Sequence, residues 1–145
     1  MDLEQSQKGQ SCCLAVMSDL SAAGLACLEL HLGNSLNLAI SVLNKPEADA
    51  DCRNFIRVKS VGTIVCRGCI ARTLKQRSIG SGDALWEMST LLNLVGVPEH
   101  HEGIYNQALK SGLVIIILQG LSAPVRQGCQ ILNDKALGKP VLYLG

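Results

Sequence analysis

The chain has 145 residues, of which 48% are hydrophobic and 17% are charged. This length suits a single domain, residues 1–145, and this composition excludes an intrinsically disordered chain. A net charge of +1 gives the whole molecule little attraction for nucleic acid or membranes, and an aromatic fraction of 3% leaves few rings for stacking on bases or sugars.

The predicted elements begin after a polar segment, residues 1–10, which is interpreted as a mobile tail. Residues 13–17 are apolar and predict a strand, and the following Ser-Asp pair is suited to cap a helix over residues 20–32. This helix is expected to bury one apolar face, formed by Ala22, Leu25, Leu28 and Leu32. Residues 38–43 then predict a second strand, because apolar side chains alternate along them.

The last third of the chain repeats this pattern. Two helices are predicted over residues 84–95 and 99–110, each followed by a glycine. The run 113–118 is continuously apolar and rich in β-branched residues, which predicts a central strand that is buried on both faces. A helix that begins with Ser122 as its cap and a strand over residues 140–144 complete the chain.

The order βαβ followed by ααβαβ predicts an α+β fold of the ferredoxin-like type. In this fold four strands pack against helices on one face, and residues 47–82 form a basic insertion in the middle. A flavodoxin-like α/β sheet is the main alternative. The apolar run 113–118 also suits pairing across a dimer, so we expect a homo-oligomer.

The start of the chain and the cysteine content bear on the compartment. Residues 1–12 are polar and partly acidic, without the apolar segment of a secretory signal. No apolar run approaches the roughly 20 residues that span a bilayer, so no transmembrane span is expected. These features predict a cytoplasmic protein, whose seven cysteines are expected to be reduced.

The basic middle segment is the clearest anomaly in the sequence. Between Cys52 and Gly82 there is no Asp or Glu, although seven of the 13 Lys and Arg residues lie there. Such a cluster suits an anionic partner, either nucleic acid or a lipid head group. The alternative is a solvated surface whose charges pair with nearby acids. The candidate anion-binding residues are Arg57, Lys59, Arg67, Arg72, Lys75 and Arg77.

A CxxC motif, Cys66 and Cys69, lies within the same segment. Neighbouring arginines would stabilise a thiolate, as thiol redox chemistry requires. Zinc binding would need two further ligands, for which Cys52, the Cys12–Cys13 pair or the His100–His101 pair are the candidates. The interpretation favoured over both is a tight turn around Gly68, with no cofactor.

No complete catalytic motif supports an enzyme. The sequence has no phosphate-binding loop, no GxSxG elbow and no pair of carboxylates in an apolar context. His100 and His101 are adjacent and point about 100° apart on a helix, so they are interpreted as solvent-facing. His31 is expected to be exposed as well. The question of an enzyme stays open, and the sequence favours a non-enzymatic protein.

Two long stretches combine a turn, a helix and a strand in a recurrent way. Residues 95–120, VGVPEHHEGIYNQALKSGLVIIILQG, join a Gly-Val-Pro turn to a helix with a Tyr and an Ala-Leu-Lys, and then to a strand ending in Gly. Residues 21–45, SAAGLACLELHLGNSLNLAISVLNK, end in Ser-Val-Leu-x-Lys. These stretches, with the helix SAPVRQGCQIL that follows, resemble the bacterial general stress protein family.

This resemblance implies a small α+β domain with a stress-linked role and no established chemistry. Many members carry a Gly-rich, aromatic-rich apolar hairpin that suits membrane insertion, whereas the middle of this chain is shorter, basic and nearly free of aromatics. The leading hypothesis is therefore a non-enzymatic, stress-related regulatory or interaction domain. A thiol redox or metal-binding protein and a small anion or nucleic-acid binder are the alternatives.

Overall fold

The structure, a computed structural model, describes residues 10–34, 38–46, 55–68 and 85–144. Within these ranges the chain is mixed α+β. The strands are β1 (Gln10–Met17), β2 (Leu38–Asn44), β3 (Phe55–Val58), β4 (Gly62–Gly68), β5 (Leu85–Trp86), β6 (Val114–Leu121) and β7 (Val141–Leu144). The helices are α1 (Leu20–Asn34), α2 (Met88–Val95), α3 (Glu102–Lys110) and α4 (Ser122–Asn133), and a 3-10 turn at Glu99–His101 precedes α3.

The described strands form one sheet in the order β5-β3-β4-β2-β6-β1-β7. Neighbours from β3 to β7 are antiparallel, and only β5 runs parallel to its neighbour β3. This pairing does not match the parallel sheet of a flavodoxin-like fold. None of the described helices is long and apolar enough to cross a membrane.

Strand β6 lies in the interior of the sheet, as its apolar run predicts. It pairs with β1 along one edge and with β2 along the other. Ile115 and Ile117 point to one face and Val114 and Ile116 to the other, and all four are buried. Because both edges and both faces of β6 are covered within the chain, this strand cannot supply the dimer pairing that the sequence suggested.

Helices cover both faces of the sheet, rather than the one face expected. The α1/α4 face is the side on which α1 and α4 pack, with Ala23, Ala26 and Leu30 from α1 and Val125 and Leu132 from α4 in its core. The α2/α3 face is the opposite side, where α2 and α3 pack against alternate residues of β1, β4 and β6. The α2/α3 layer comes from the segment between β2 and β6, so it covers the side that a pair of βαβ units would leave open.

Helix α1 packs with a different face from the one expected. Asp19 caps it as predicted, with its Oδ1 accepting a hydrogen bond from the backbone N–H of Ala22 at 2.8 Å. However, Leu25, Leu28 and Leu32 point outward and are exposed. Leucines occur on more than one side of this helix, so apolar periodicity alone did not determine which side meets the sheet. The smaller alanines lie inward, where they let the helix approach β1 and β6 closely.

Two boundaries also differ from the expectations. Residues 85 and 86, expected in a helix, form β5, whose partners in β3 are Arg57 and Val58. The backbone N–H of Lys59 extends this pairing by donating to the Trp86 carbonyl at 2.7 Å. Tertiary pairing therefore overrides helix propensity there, and α2 begins only at Met88. Gln10, assigned to the tail, is the first residue of β1, while residues 1–9 lie outside the described ranges.

Candidate functional site

Three side chains form a row across the α2/α3 face, near one end of the sheet. Cys12 on β1 is the cross-strand partner of Gln119 on β6 and of Tyr143 on β7. Cross-strand partners project from the same side of a sheet, so the amide, the thiol and the phenol are neighbours there. We call this set the Gln119–Cys12–Tyr143 row.

The hydroxyl of Tyr143 is held by two further polar side chains. It lies 2.6 Å from Nδ1 of His101, in the 3-10 turn, and 3.0 Å from the hydroxyl of Tyr105, on α3. Burial raises the pKa of Tyr105 well above its usual value, and the hydrogen bond to Tyr143 adds to this shift. Burial also raises the pKa of Tyr143, although the bond to Tyr105 opposes the rise. Both phenols are therefore protonated and neutral at physiological pH.

A pocket of about 600 Å³ lies over this row. Its floor is formed by the row itself together with Gln10, and its wall by the C-terminal end of α2, Asn93 to Gly96. Gly96 ends α2 with a φ of 95°, a left-handed conformation that favours glycine. None of the described residues that line the pocket is charged. The cavity therefore combines uncharged polar groups with apolar surface.

The thiol of Cys12 is not poised for reaction. Burial raises its pKa to about 11. A thiol with this pKa stays protonated at neutral pH, and the thiolate is the nucleophilic form. The row and the adjoining phenol of Tyr105 therefore offer neutral hydrogen-bonding groups rather than a nucleophile.

The histidine pair is only partly solvent-facing, contrary to the prediction. His100 is exposed, whereas His101 is half-buried and bonded to Tyr143. Their rings are nearly perpendicular, at 84°, with centroids 4.3 Å apart. The exposure predicted for His31 is confirmed.

The candidate anion-binding residues do not converge where the structure describes them. Arg57, Lys59 and Arg67 are exposed at the β3–β4 end of the sheet, and Nζ of Lys59 lies 3.8 Å from Oε1 of Glu87. Arg57 pairs with Thr63, four positions from Arg67, so the two arginines lie about 13 Å apart along the strand. The other three candidates, Arg72, Lys75 and Arg77, lie outside the described residues.

The CxxC motif is also only half described. Cys66 is 1% exposed and packs in the core of the α2/α3 face, while Cys69 lies outside the described residues. The described thiols that contact each other are instead Cys13 and Cys129, on the α1/α4 face, where burial and their mutual hydrogen bond raise the pKa of Cys13. In the described ranges no group of three or more His, Cys, Asp or Glu side chains is arranged to hold a metal ion.

The sequence patterns did not point to Tyr105, Tyr143 or Gln119 as site residues, and they pointed to Cys12 only as a further zinc ligand. One signal was present: His101 and Tyr105 are four positions apart and so share a side of a helical segment. The two tyrosines are also the only ones in the chain, and Tyr143 is a ring with a polar tip in an apolar segment.

The outer side of α1 is a second unusual surface. Leu25, Leu28 and Leu32 are 63%, 55% and 80% exposed.

Comparisons with family models, with curated proteins and with solved structures find no match for this chain. The resemblance to general stress proteins therefore remains an expectation, and function has to be argued from these two surfaces.

Proposed function

We propose that this chain is a non-enzymatic interaction domain that forms a homo-dimer through the outer side of α1. The observation that carries the proposal is the exposure of three leucines at positions 25, 28 and 32 of a helix whose other side is already packed. An exposed apolar stripe on a small domain can mark an interaction surface. The role is regulatory and stress-linked, as the resemblance to bacterial general stress proteins implies.

A second copy of the chain is the occupant that suits this stripe. The spacing of three and then four residues matches the a and d positions of a helix–helix seam. Two copies of α1 related by a two-fold axis would bring the same leucines together, and an isologous contact of this kind needs no second type of surface. The stripe is also aliphatic, so it can pack into a dry seam.

The fold underlying this proposal is the ferredoxin-like one. Its support is the order β2-β6-β1-β7, in which β1 and β2 run parallel with β6 between them, and β6 and β7 run parallel with β1 between them. The crossover helices α1 and α4 share one face, as this topology requires. The segment between β2 and β6 is then an insertion that widens the sheet with β4, β3 and β5.

The proposal is tested by changing the stripe and measuring the mass of the particle. The variant Leu25→Gln/Leu28→Gln/Leu32→Gln is expected to sediment as a monomer in analytical ultracentrifugation, whereas the unchanged protein sediments as a dimer. The matched control is Ile104→Gln, because Ile104 is 62% exposed but lies on α3. A monomeric unchanged protein over the whole accessible concentration range would contradict the proposal, as would a dimer that survives the triple substitution.

An anion or nucleic-acid binder is the second candidate function. In its favour, Arg57 and Arg67 are exposed on the same side of the β3–β4 pair. Their separation suits an extended polyanion better than a single phosphate. The thiol redox or zinc alternative has less support, because the burial of Cys66 is what packing of a small apolar side chain requires.

A further inference from the structure

We propose that the pocket over the Gln119–Cys12–Tyr143 row binds a small uncharged molecule with an amide-like edge. The pocket lies on the α2/α3 face, on the opposite side of the sheet from α1. The inference is therefore independent of the proposed dimer.

The charge of the ligand follows from the lining. A volume of about 600 Å³ is in the range of small-molecule sites. A charged ligand would lose its hydration there without meeting an opposite charge among the described lining residues, all of which are uncharged. The thiol of Cys12 does not alter this balance, since it stays protonated at neutral pH. A neutral molecule avoids this cost.

The polar edge of the ligand follows from the carboxamides. Gln10, Asn93 and Gln119 are all lining residues, and each carries a donor and an acceptor side by side. Such a group pairs with a cis-amide or lactam edge, which offers the complementary acceptor and donor, as Asn and Gln do with the edge of adenine. Leu94 and Val95 supply apolar surface for the rest of the molecule.

Tyr143 is the recognition hydroxyl of this site. A phenol has one donor and two acceptor positions, and His101 and Tyr105 engage two of these three. This leaves one position of the Tyr143 hydroxyl for a ligand in the pocket, which Tyr143 lines. Because two hydrogen bonds already fix this hydroxyl, a ligand that meets it has little ordering entropy to lose.

Two pairs of related probes, each with one neutral and one anionic member, test the class of ligand. We would measure binding of nicotinamide and nicotinate, and of uracil and orotate, by ligand-observed NMR on the full-length protein. The expected result is saturable binding of at least one neutral probe, with its anionic counterpart bound at least about tenfold more weakly. Failure of both neutral probes to bind overturns the proposal, and so does binding of an anionic probe as tight as that of its neutral counterpart.

Substitutions test the location of the site. Tyr143→Phe and Gln119→Met are each expected to weaken binding of the neutral probe by about tenfold, the typical effect of one lost hydrogen bond. Gln107→Met is the control, because Gln107 is exposed on α3 away from the pocket lining. If Tyr143→Phe does not fold, Gln119→Met decides. Unchanged affinity of the folded pocket variants for the neutral probe would overturn the proposal. Unchanged affinity of the α1 triple variant would show that probe binding does not depend on the dimer.

Discussion

Helices α1 and α4 pack on the same face of the sheet but differ in the residues on their outer surfaces. Each follows an interior strand of the sheet. In α4 the apolar residues Val125 and Leu132 point inward, and Arg126, Gln127 and Gln130 point to solvent. In α1 apolar residues occupy both sides, because Leu30 is 1% exposed while Leu32 is 80% exposed.

The difference separates what the fold requires from what it does not. A helix on the surface of a domain needs one apolar face, and α4 meets that requirement with a polar exterior. The additional leucines of α1 make no contribution to the core of the monomer. Helix α1 carries apolar residues on more than one side, although Glu29 and His31 are also exposed on it. Its exposed leucines are the basis of the proposed dimer.

The largest expected effect contrasts two leucines that are two positions apart on α1. Leu30→Ala is expected to lower the free energy of unfolding by about 2–5 kcal/mol, because it leaves a cavity against the sheet. Leu32→Ala is expected to change the free energy of unfolding of the monomer by less than about 0.5 kcal/mol. Urea denaturation at low protein concentration measures both. Similar losses for the two variants would show that α1 is packed differently.

A smaller contrast concerns one glycine in each helix. A Cβ added to Gly128, on α4, would lie 2.6 Å from Cδ1 of the buried Leu118, whereas one added to Gly24, on α1, would meet nothing within 4 Å. Gly128→Ala is therefore expected to cost about 1–3 kcal/mol through overpacking. Gly24→Ala is expected to stabilise the protein by about 0.5–1 kcal/mol through higher helix propensity.

Thermal unfolding of these two glycine variants should shift the midpoint in opposite directions. A destabilising Gly24→Ala would mean that this part of α1 is covered even in the monomer. A neutral Gly128→Ala would mean that α4 can move away from β6 at little cost.

The smallest effect concerns the ion pair that links the two helices. Nζ of Lys135, just after α4, lies 2.9 Å from Oε1 of Glu29 on α1. Both groups are partly exposed, so solvent screens the pair and its contribution is expected to be below about 1 kcal/mol. Lys135→Met should lose this contribution at low salt and less of it at high salt, while Lys139→Met, at an exposed position on the following loop, should show no such dependence.

Much of the fold was predictable because local patterns agreed with the tertiary structure. The alternation over residues 38–43 and the apolar run 113–118 correspond to β2 and β6. The inward face of α1 was not predictable, since leucines on several of its sides give the helical period no preferred direction. Strand β5 was missed as well, because two residues carry no periodicity and only the pairing with β3 makes them a strand.

The candidate site was harder to predict from the sequence than the fold was. His101 and Tyr105 are close in the chain, and their relation could be inferred from helical spacing alone. Cys12 and Tyr143 belong to opposite ends of the chain and meet only because β7 pairs with β1. No local pattern carries that information, and the polar character of the row appears only once the sheet is assembled.

The position of β1 in the sheet has a consequence for biosynthesis. Its neighbours β6 and β7 both come from the last third of the chain, and the bonded hydroxyls of Ser11 and Ser122 are 111 positions apart. Pairings over such long separations form slowly, since the entropy of closing the loop is lost before the contacts repay it. Strand β1 is thus an apolar segment that gains neither neighbour until β6 and β7, which lie far along the chain, have been synthesised.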